Sequence, residues 1–336
     1  MTLANLHPSP ARGRGAGGEG PRLILANLLA EDDLARLVHA GDPRFRHRRP
    51  PSAGLLQTVS RMARRLAVLA RPGDRLWLPG DPPPEPAADV LAWCETPEAA
   101  ALRTAPRPAE VSLDLPLSDL LWRLPVPAPE VVARVHHRGF ALRVAGELGC
   151  ALPGAQMVDS LAGLDRLLAA RGAPSAWVVK APFSAAGRAR YIERKGPLLA
   201  APKSRRTVEN LFDRHGPLLF EPWLDRLADW GCSALLTPEA LRIIGIHRQR
   251  VDGKGQFAGI DLDTTDLPER DRERLVEVVT AAAAALRGSG YSGPFGVDAW
   301  HWRRPDGTVA FHPLGEINAR MTFGLVEWAC SDRLTP

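Results

Sequence analysis

Two neighbouring stretches decide the fold: P-F-G-V-D-A-W-H-W at 294–302 and V-A-F-H-P-L-G-E-I-N-A-R at 309–320. Both are rich in the apolar residues that strands require, and Pro305, Asp306 and Gly307 between them are typical turn residues. The pattern therefore predicts two adjacent antiparallel strands, and the rest of the chain is interpreted outward from this pair.

The polar side chains of these strands form a candidate metal site. Because side chains alternate along a strand, Glu316, Asn318 and Arg320 share one face of the second strand. Asp298 lies on the first strand. One Asp, one Glu and one Asn supply oxygen ligands of the kind that Mg²⁺ prefers, and the remaining positions can be filled by phosphate oxygens and water. Arg320 would then lie beside the metal and contact a phosphate or a carboxylate.

The register of the two strands sets a condition on this site. A simple hairpin through the turn pairs Asp298 with a residue near Pro313 rather than with Glu316. The metal site therefore requires a β-bulge near Pro313–Gly315, or a longer loop, to shift the register. The alternative interpretation is a structural hairpin with exposed polar residues.

A candidate phosphate-binding segment begins at Lys180, which ends the apolar strand Ala176–Lys180. It is followed at 181–190 by A-P-F-S-A-A-G-R-A-R. Small side chains let backbone N–H groups approach phosphate oxygens, and the lysine adds a positive charge beside them. The loop does not have the spacing of a Walker A sequence. Taken alone, a lysine at the end of a strand is more often simply solvated.

A candidate adenine-binding segment is L-L-F-E-P-W-L-D-R-L-A-D at 218–229. An apolar strand runs here into Glu221, Pro222 and Trp223. Such a segment offers backbone donors and acceptors to an adenine edge and an acidic side chain to the ribose hydroxyls. By itself, an ordinary strand end with a core tryptophan is the preferred interpretation.

The first third of the chain predicts a small α/β domain over 22–125. Arg22–Leu29 has the composition of a buried strand, and the helical run Leu34–Val38 follows it. Leu55–Leu69 has apolar residues at helical spacing, and Arg75–Leu78 predicts a second short strand. No G-x-G-x-x-G is present, so a dinucleotide site is not predicted.

Three further elements are predicted beyond this domain. Glu130–Gly149 is expected to be one helix that ends at its glycine, and Ser160–Arg171 is a second amphipathic helix. Residues 241–263 predict a β-hairpin. Arg248 and Arg250 would share one face of it, either contacting phosphate or an acidic substrate or lying in solvent.

Composition and charge are those of an ordinary soluble globular protein. The 336 residues include 43 basic and 38 acidic side chains, a net charge of +5 that does not demand a nucleic-acid partner. The four cysteines are far apart, which argues against a zinc site and a disulfide framework and fits a reducing cytoplasm. No apolar run reaches the roughly 18 residues of a membrane span. Residues 1–21 are predicted to be a disordered lead-in.

In this order, the segments resemble the ATP-grasp superfamily over roughly 130–325, and E-I-N-A-R at 316–320 is the most specific part. The fold implied by the resemblance is α/β and α+β. A small N-terminal α/β (pre-ATP-grasp-like) domain precedes a two-lobed ATP-grasp domain at 130–330, with a central lobe at 138–215 and a C-terminal lobe at 216–330.

The resemblance also implies roles for individual residues. The implied metal ligands are Asp298, Glu316 and Asn318, and the implied catalytic groups are Lys180 and Arg320. Residues at the other motif positions are implied to bind the nucleotide together with Lys180: Arg138, Ser184, Gly187, Arg188, Glu221, Pro222, Trp223 and Asp229.

The activity implied by the resemblance is that of an ATP- and Mg²⁺-dependent ligase, with Mn²⁺ as a possible substitute. A substrate carboxylate would attack ATP to form an acyl phosphate, and an amine would then displace phosphate. The partners would be small-molecule or peptide carboxylates and amines, without nucleic acid or membrane, and a homodimer is the base-rate expectation. The alternatives are a small-molecule kinase of the same superfamily and a nucleotide-binding regulatory protein with little turnover.

Overall fold

The strands of the computed structural model form three sheets that follow one another along the chain. Gly187 of the predicted phosphate loop and the predicted lead-in at 1–21 lie outside the described residues. No helix in the described part of the chain is long and apolar enough to cross a membrane. The structure describes residues 22–45, 50–107, 111–170, 176–184, 188–194, 196, 201–251 and 257–332.

The N-terminal sheet is parallel, and its strand order is β2-β1-β3. Its strands are β1 (Leu23–Leu25), β2 (Arg75–Trp77) and β3 (Val90–Ala92). Its helices are α1 (Glu31–Val38), α2 (Ala53–Ala63), α3 (Pro97–Leu102) and α4 (Leu117–Arg123). The first two strands and the first two helical segments agree with the sequence prediction. The third strand was not predicted, because three residues without alternation give no periodic signal and only pairing with β1 defines them.

The segment predicted as one helix over Glu130–Gly149 forms two helices, and the prediction was wrong on this point. They are α5 (Pro129–His136) and α6 (Arg138–Glu147). The chain is extended at His137 (ψ 130°), whose Nδ1 accepts a hydrogen bond of 2.9 Å from the Gly139 N–H. The backbone N–H of Arg138 donates to the Pro182 carbonyl (3.2 Å) rather than to a helical carbonyl. The break therefore places Arg138 against the loop that follows Lys180.

The central sheet is antiparallel and has the strand order β4-β7-β5-β6. Its strands are β4 (Gln156–Val158), β5 (Trp177–Lys180), β6 (Arg190–Glu193) and β7 (Leu218–Pro222). Its helices are α7 (Leu161–Ala169) and α8 (Pro202–His215). Trp177, Leu164 and Phe220 are fully buried in its core. Ser160 accepts a hydrogen bond from the Gly163 N–H and caps α7, which begins where the helix predicted over Ser160–Arg171 begins.

The C-terminal sheet has five antiparallel strands in the order β10-β9-β8-β11-β12. They are β8 (Asp225–Leu236), β9 (Leu241–Val251), β10 (Phe257–Asp261), β11 (Gly293–Arg303) and β12 (Val309–Asn318). The helices are α9 (Glu269–Gly288) and α10 (Phe323–Asp332). One face of the sheet packs against α9, where His301 on β11 lies 3.0 Å from Asp271. The opposite face carries Asp298 and points away from this helix.

The pairing of β11 with β12 contains a β-bulge at the predicted place. Asp298 pairs with Glu316, whereas Trp300 pairs with His312, so the extra residues of β12 lie at 313–315. A Cβ atom at Gly315 would lie 1.7 Å from Cζ3 of Trp300, because the indole ring crosses the bulge at this position. The register shift that the metal site requires is therefore present, and it depends on a residue without a side chain.

Candidate active site

The three predicted metal ligands lie together on one face of the C-terminal sheet. Asp298 and Glu316 are paired across β11 and β12, and Asn318 Nδ2 donates a hydrogen bond of 3.1 Å to Asp298 Oδ2. Gln249 on β9 donates from Nε2 to Asp298 Oδ1 at 2.7 Å. Two amide donors thus hold the Asp298 carboxylate in place, and Gln249 is a contributor that the sequence analysis did not identify.

The electrostatics of this face fit a divalent cation. Burial, and then the negative charge of Glu316, raise the pKa of Asp298 to about 6. A cation between the carboxylates of Asp298 and Glu316 would stabilise their charged forms and so oppose the rise in this pKa. With Asn318, they supply few protein ligands and leave positions for phosphate oxygens and water, as Mg²⁺ sites do. Within the described ranges, no group of three or more His, Cys, Asp or Glu side chains is placed to hold a metal ion.

Arg138 connects the metal face with the loop after Lys180. Its Nη2 donates to Glu316 Oε1 (3.0 Å) and to the backbone carbonyl of Ser184 (2.9 Å), and its Nη1 donates to Ser184 Oγ (2.8 Å). The arginine is buried between these partners. The predicted nucleotide contacts Arg138 and Ser184 therefore lie next to a predicted metal ligand, although 178 residues separate Arg138 from Glu316.

Lys180 and Glu221 form a buried ion pair at the ends of β5 and β7. Burial lowers the pKa of Lys180, and the charge of Glu221 opposes that shift. Burial acts to raise the pKa of Glu221, but the charge of Lys180, the hydrogen bond from Lys180 and the charge of Arg226 together hold this pKa below its usual value. In this structure the Glu221 carboxylate contacts Lys180, while the ribose was its predicted partner.

The predicted adenine segment continues from this pair. Pro222 is the last residue of β7, and the backbone N–H of Trp223 donates to the Ala176 carbonyl at 2.9 Å. Asp229 accepts a hydrogen bond of 2.9 Å from Arg226. The chain therefore passes from the central sheet to the C-terminal sheet directly beside Lys180 and Glu221.

Arg226 also covers the bulge on the metal face. Its guanidinium carbon lies 3.6 Å from the centroid of the Trp300 ring. In the pairing of β8 with β11, Asp229 is opposite Trp300 and Gly231 is opposite Asp298. Asp229 is therefore two residues before the position that pairs with Asp298. Since side chains alternate, Asp229 shares the face of Asp298, so it lies at the edge of the candidate site.

Arg320 lies between the metal face and the N-terminal sheet. Its Nη2 donates to Asn318 Oδ1 at 3.0 Å, and its guanidinium lies 5.2 Å from the ring of Trp93, just after β3. Its Nε lies 3.5 Å from Glu31 on α1, and Arg188 approaches the same carboxylate at 3.9 Å. Glu31 was not predicted as a site residue. Its position at the carboxyl edge of a parallel sheet is the signal that could have identified it.

The hairpin arginines do not reach the metal face. Arg248 pairs with Asp266, and its guanidinium lies 5.6 Å from the Trp230 ring, on the opposite face of the sheet. Arg250 has the same parity as Arg248, whereas Gln249 between them contacts Asp298. The prediction that these arginines share a face is correct, but that face is not the one with the metal ligands.

Comparison with known proteins identifies the fold but no sequence relative. No protein-family model and no curated protein matches the chain. Among solved structures, the biotin carboxylase domain of the 2-oxoglutarate carboxylase of Hydrogenobacter thermophilus matches with a TM-score of 0.53 and 12% identity. The match covers 95% of this chain and 71% of that one. Biotin carboxylase from Campylobacter jejuni matches with a TM-score of 0.50 and 13% identity, over 93% and 71% of the two chains.

These likenesses extend over nearly the whole chain, which includes the N-terminal sheet as well as the two sheets that carry the motifs. The order of the sheets agrees with the fold that the resemblance in the sequence implies. The chain has the ATP-grasp fold.

Proposed function

We propose that this chain is an ATP- and Mg²⁺-dependent ligase that joins a carboxylate to an amine through an acyl phosphate. One observation carries the proposal: Arg138 bridges Ser184 of the phosphate loop and Glu316 of the metal face. Groups suited to phosphate and groups suited to a metal therefore meet at one place. The structure from Hydrogenobacter thermophilus, which shares the fold, is described as a complex with MgADP, ADP and bicarbonate.

The proposed reaction has two steps. A carboxylate oxygen of the first substrate attacks the γ-phosphorus of ATP, the bond between that phosphorus and the β–γ bridging oxygen breaks, and ADP leaves. The nitrogen of the amine then attacks the acyl carbon, the carbon–oxygen bond to phosphate breaks, and the amine loses a proton. The products are an amide, ADP and inorganic phosphate.

The side chains of this chain act mainly by placing and neutralising charge, which is what phosphoryl transfer requires. Lys180 and Arg138 would contact the phosphates, and Arg320 would contact the transferred phosphoryl group or the acyl phosphate. Asp298, Glu316 and Asn318 would hold Mg²⁺, which neutralises phosphate charge when bound. Because Arg138 is paired with Glu316 in this structure, nucleotide binding would have to redistribute that contact.

Calorimetry of Mg-ATP binding tests the proposal. Wild type is expected to bind Mg-ATP, and the double substitution Glu316→Ala with Asn318→Ala is expected to weaken binding at least about tenfold, since it removes two of three metal ligands. Glu327→Gln is the matched control, because Glu327 is partly exposed and pairs with Arg65 on the surface. A folded wild type that binds no Mg-ATP would contradict the proposal.

The chemistry of the second step has its own test. Hydroxylamine intercepts an acyl phosphate and yields a hydroxamate with release of phosphate and a proton. A ligase is expected to form hydroxamate when supplied with ATP, Mg²⁺, its acid substrate and hydroxylamine. ADP formation with a stable phosphorylated product and no hydroxamate would indicate a small-molecule kinase instead.

Magnesium binding is expected to depend on pH, with a midpoint near the pKa of Asp298. The pKa of this carboxyl is raised from 3.8 to about 6, so its proton favours the folded state, and that contribution is lost as the pH rises through about 6. Mg²⁺ competes with the proton. The rise in melting temperature caused by Mg²⁺ should therefore be small at about pH 5 and large at about pH 7.5.

Asp298→Asn is the control for this dependence, because the amide cannot titrate. The variant is expected to lose both the Mg²⁺-induced stabilisation and its change between the two pH values. His247 and His312 do not interfere, since burial lowers the pKa of each to about 4. A Mg²⁺ effect that is equal at both pH values in wild type would overturn the assignment of Asp298 as the titrating ligand.

A further inference from the structure

Gln249 reaches the metal face from a strand that is not adjacent to Asp298. The sheet order places β8 between β9, which carries Gln249, and β11, which carries Asp298. Neighbouring strands lie about 4.8 Å apart, so β9 and β11 are separated by roughly 10 Å. The contact of 2.7 Å between Gln249 Nε2 and Asp298 Oδ1 therefore crosses the whole width of β8. It requires a long side chain, and an asparagine at this position would be too short.

Gly231 leaves the path across β8 open. It is opposite Asp298 in the pairing of β8 with β11 and opposite His247 in the pairing of β8 with β9. A Cβ atom at Gly231 would lie 3.0 Å from Nε2 of Gln249 and 2.4 Å from Nε2 of His247. The buried imidazole of His247 and the amide of Gln249 thus fill the space that a side chain at this position would occupy. The contact between Gln249 and Asp298 depends on this glycine.

The amide of Gln249 has one orientation, because both of the groups that its nitrogen contacts are acceptors. Nε2 donates to the Asp298 carboxylate at 2.7 Å and to the backbone carbonyl of Trp230 at 3.4 Å. A flipped amide would place Oε1 against two other oxygens and leave both without this donor. An ionised glutamate at this position would do the same. Glutamine therefore supplies a donor of fixed direction, which an acid of the same size cannot supply.

Asp298 is held at both of its carboxylate oxygens. Oδ1 accepts from Gln249, and Oδ2 accepts from Asn318 Nδ2 at 3.1 Å. Asn318 is oriented in turn by Arg320, whose Nη2 donates to Asn318 Oδ1 at 3.0 Å. The Asp298 carboxylate cannot turn to offer both oxygens to one cation without giving up at least one of its two hydrogen bonds. It is therefore a ligand of fixed direction.

We propose that Gln249 is a positioning residue that makes the metal face select Mg²⁺ over Ca²⁺. This inference rests on the proposed function and concerns the metal ligands of the same site. Mg²⁺ requires a nearly ideal octahedron of ligands at about 2.0–2.1 Å, whereas Ca²⁺ accepts about six to eight oxygens at about 2.3–2.6 Å, including both oxygens of one carboxylate. A carboxylate that two amides hold in one direction fits the first requirement and resists the second.

Gln249→Met tests the inference, since methionine has nearly the same length and donates no hydrogen bond. The dissociation constants for Mg²⁺ and Ca²⁺ are measured separately, from the rise in melting temperature that increasing concentrations of each ion cause at one fixed concentration of ADP. The constant for Mg²⁺ is expected to rise roughly 10- to 100-fold, as is usual when a partner that orients a metal ligand is lost. The constant for Ca²⁺ should rise less, so the ratio of the Ca²⁺ constant to the Mg²⁺ constant should fall at least about threefold.

Two companion variants make the test specific. Gln249→Asn keeps the amide but is one methylene too short to cross β8, so it is expected to match Gln249→Met. Gln57→Met is the matched control, because Gln57 is exposed on α2 and its loss should leave both constants at their wild-type values. Gln249 is half-buried rather than part of the core, so its variants are expected to fold, and their melting temperatures without metal check this.

A purely structural role would give a different result. A loosened sheet would disturb the ligands of either ion, and both dissociation constants would rise by the same factor. That result, or a Gln249→Asn variant that binds both ions like wild type, would overturn the inference and leave the proposed function standing. So would a wild type that binds Ca²⁺ as tightly as Mg²⁺. A wild type that responds to neither ion would overturn both the inference and the proposed function.

Discussion

Lys180→Met is expected to lower the free energy of unfolding by about 3–5 kcal/mol, because it leaves the buried carboxylate of Glu221 without its counter-ion. Both side chains are largely inaccessible, with exposed fractions of 16% for Lys180 and 8% for Glu221. Removing one partner of such a pair costs more than the pair contributes, since the remaining charge keeps its desolvation penalty. Urea denaturation followed by circular dichroism measures the change.

The double substitution Lys180→Met with Glu221→Leu separates stability from function. It removes both charges and is expected to recover most of the lost stability. Neither Lys180→Met nor the double variant is expected to bind Mg-ATP, because the ammonium that would contact phosphate is gone. Arg205→Ala serves as the surface control: Arg205 and Asp165 are 46% and 40% exposed, so its loss should stay within about 1 kcal/mol. A Lys180→Met variant as stable as this control would contradict the argument.

The local elements and the motif residues were accessible from the sequence because their signals are short-range. Strand β5 ends at Lys180 as predicted, and the need for a bulge between Asp298 and Glu316 followed from counting residues through the turn. The helix break at His137 was not accessible. It depends on the hydrogen bond that the Gly139 N–H donates to His137 Nδ1 and on the one that the Arg138 N–H donates to the Pro182 carbonyl, whereas the apolar spacing continues without interruption.

The contacts that complete the candidate site are long-range and left no mark in the local sequence. Gln249 reaches Asp298 from another strand, 49 residues away, and was passed over for the charged residues on either side of it. Parity along β9 decides which side chains face the metal ligands, and that parity is known only once the pairing of β8 and β9 is known. Glu31 meets Arg320 only because the N-terminal sheet packs against the end of β12.

Gly315→Ala is expected to cost about 3 kcal/mol or more of unfolding free energy, at or above the upper end of the usual penalty for overpacking. The new Cβ would lie 1.7 Å from Cζ3 and 2.2 Å from Cη2 of Trp300, which is itself 3% exposed and has little room to move. Gly146→Ala is the matched control. This glycine lies in α6, and a Cβ atom added there would meet none of the described residues within 4 Å, so alanine should be neutral or stabilise by up to about 1 kcal/mol.

The same substitution at Gly315 should also remove Mg²⁺ binding, because the bulge at this residue sets the register that places Glu316 opposite Asp298. Trp300→Ala alone leaves a cavity and is expected to cost about 3–5 kcal/mol. Combined with Gly315→Ala, it removes the clash, so the double variant should be less destabilised than the sum of the two single variants. Strict additivity in urea denaturation would mean that the ring does not occupy the space over Gly315. Recovery of Mg²⁺-induced stabilisation in the double variant would show that the clash, rather than the added methyl group itself, displaces Glu316 from the metal face.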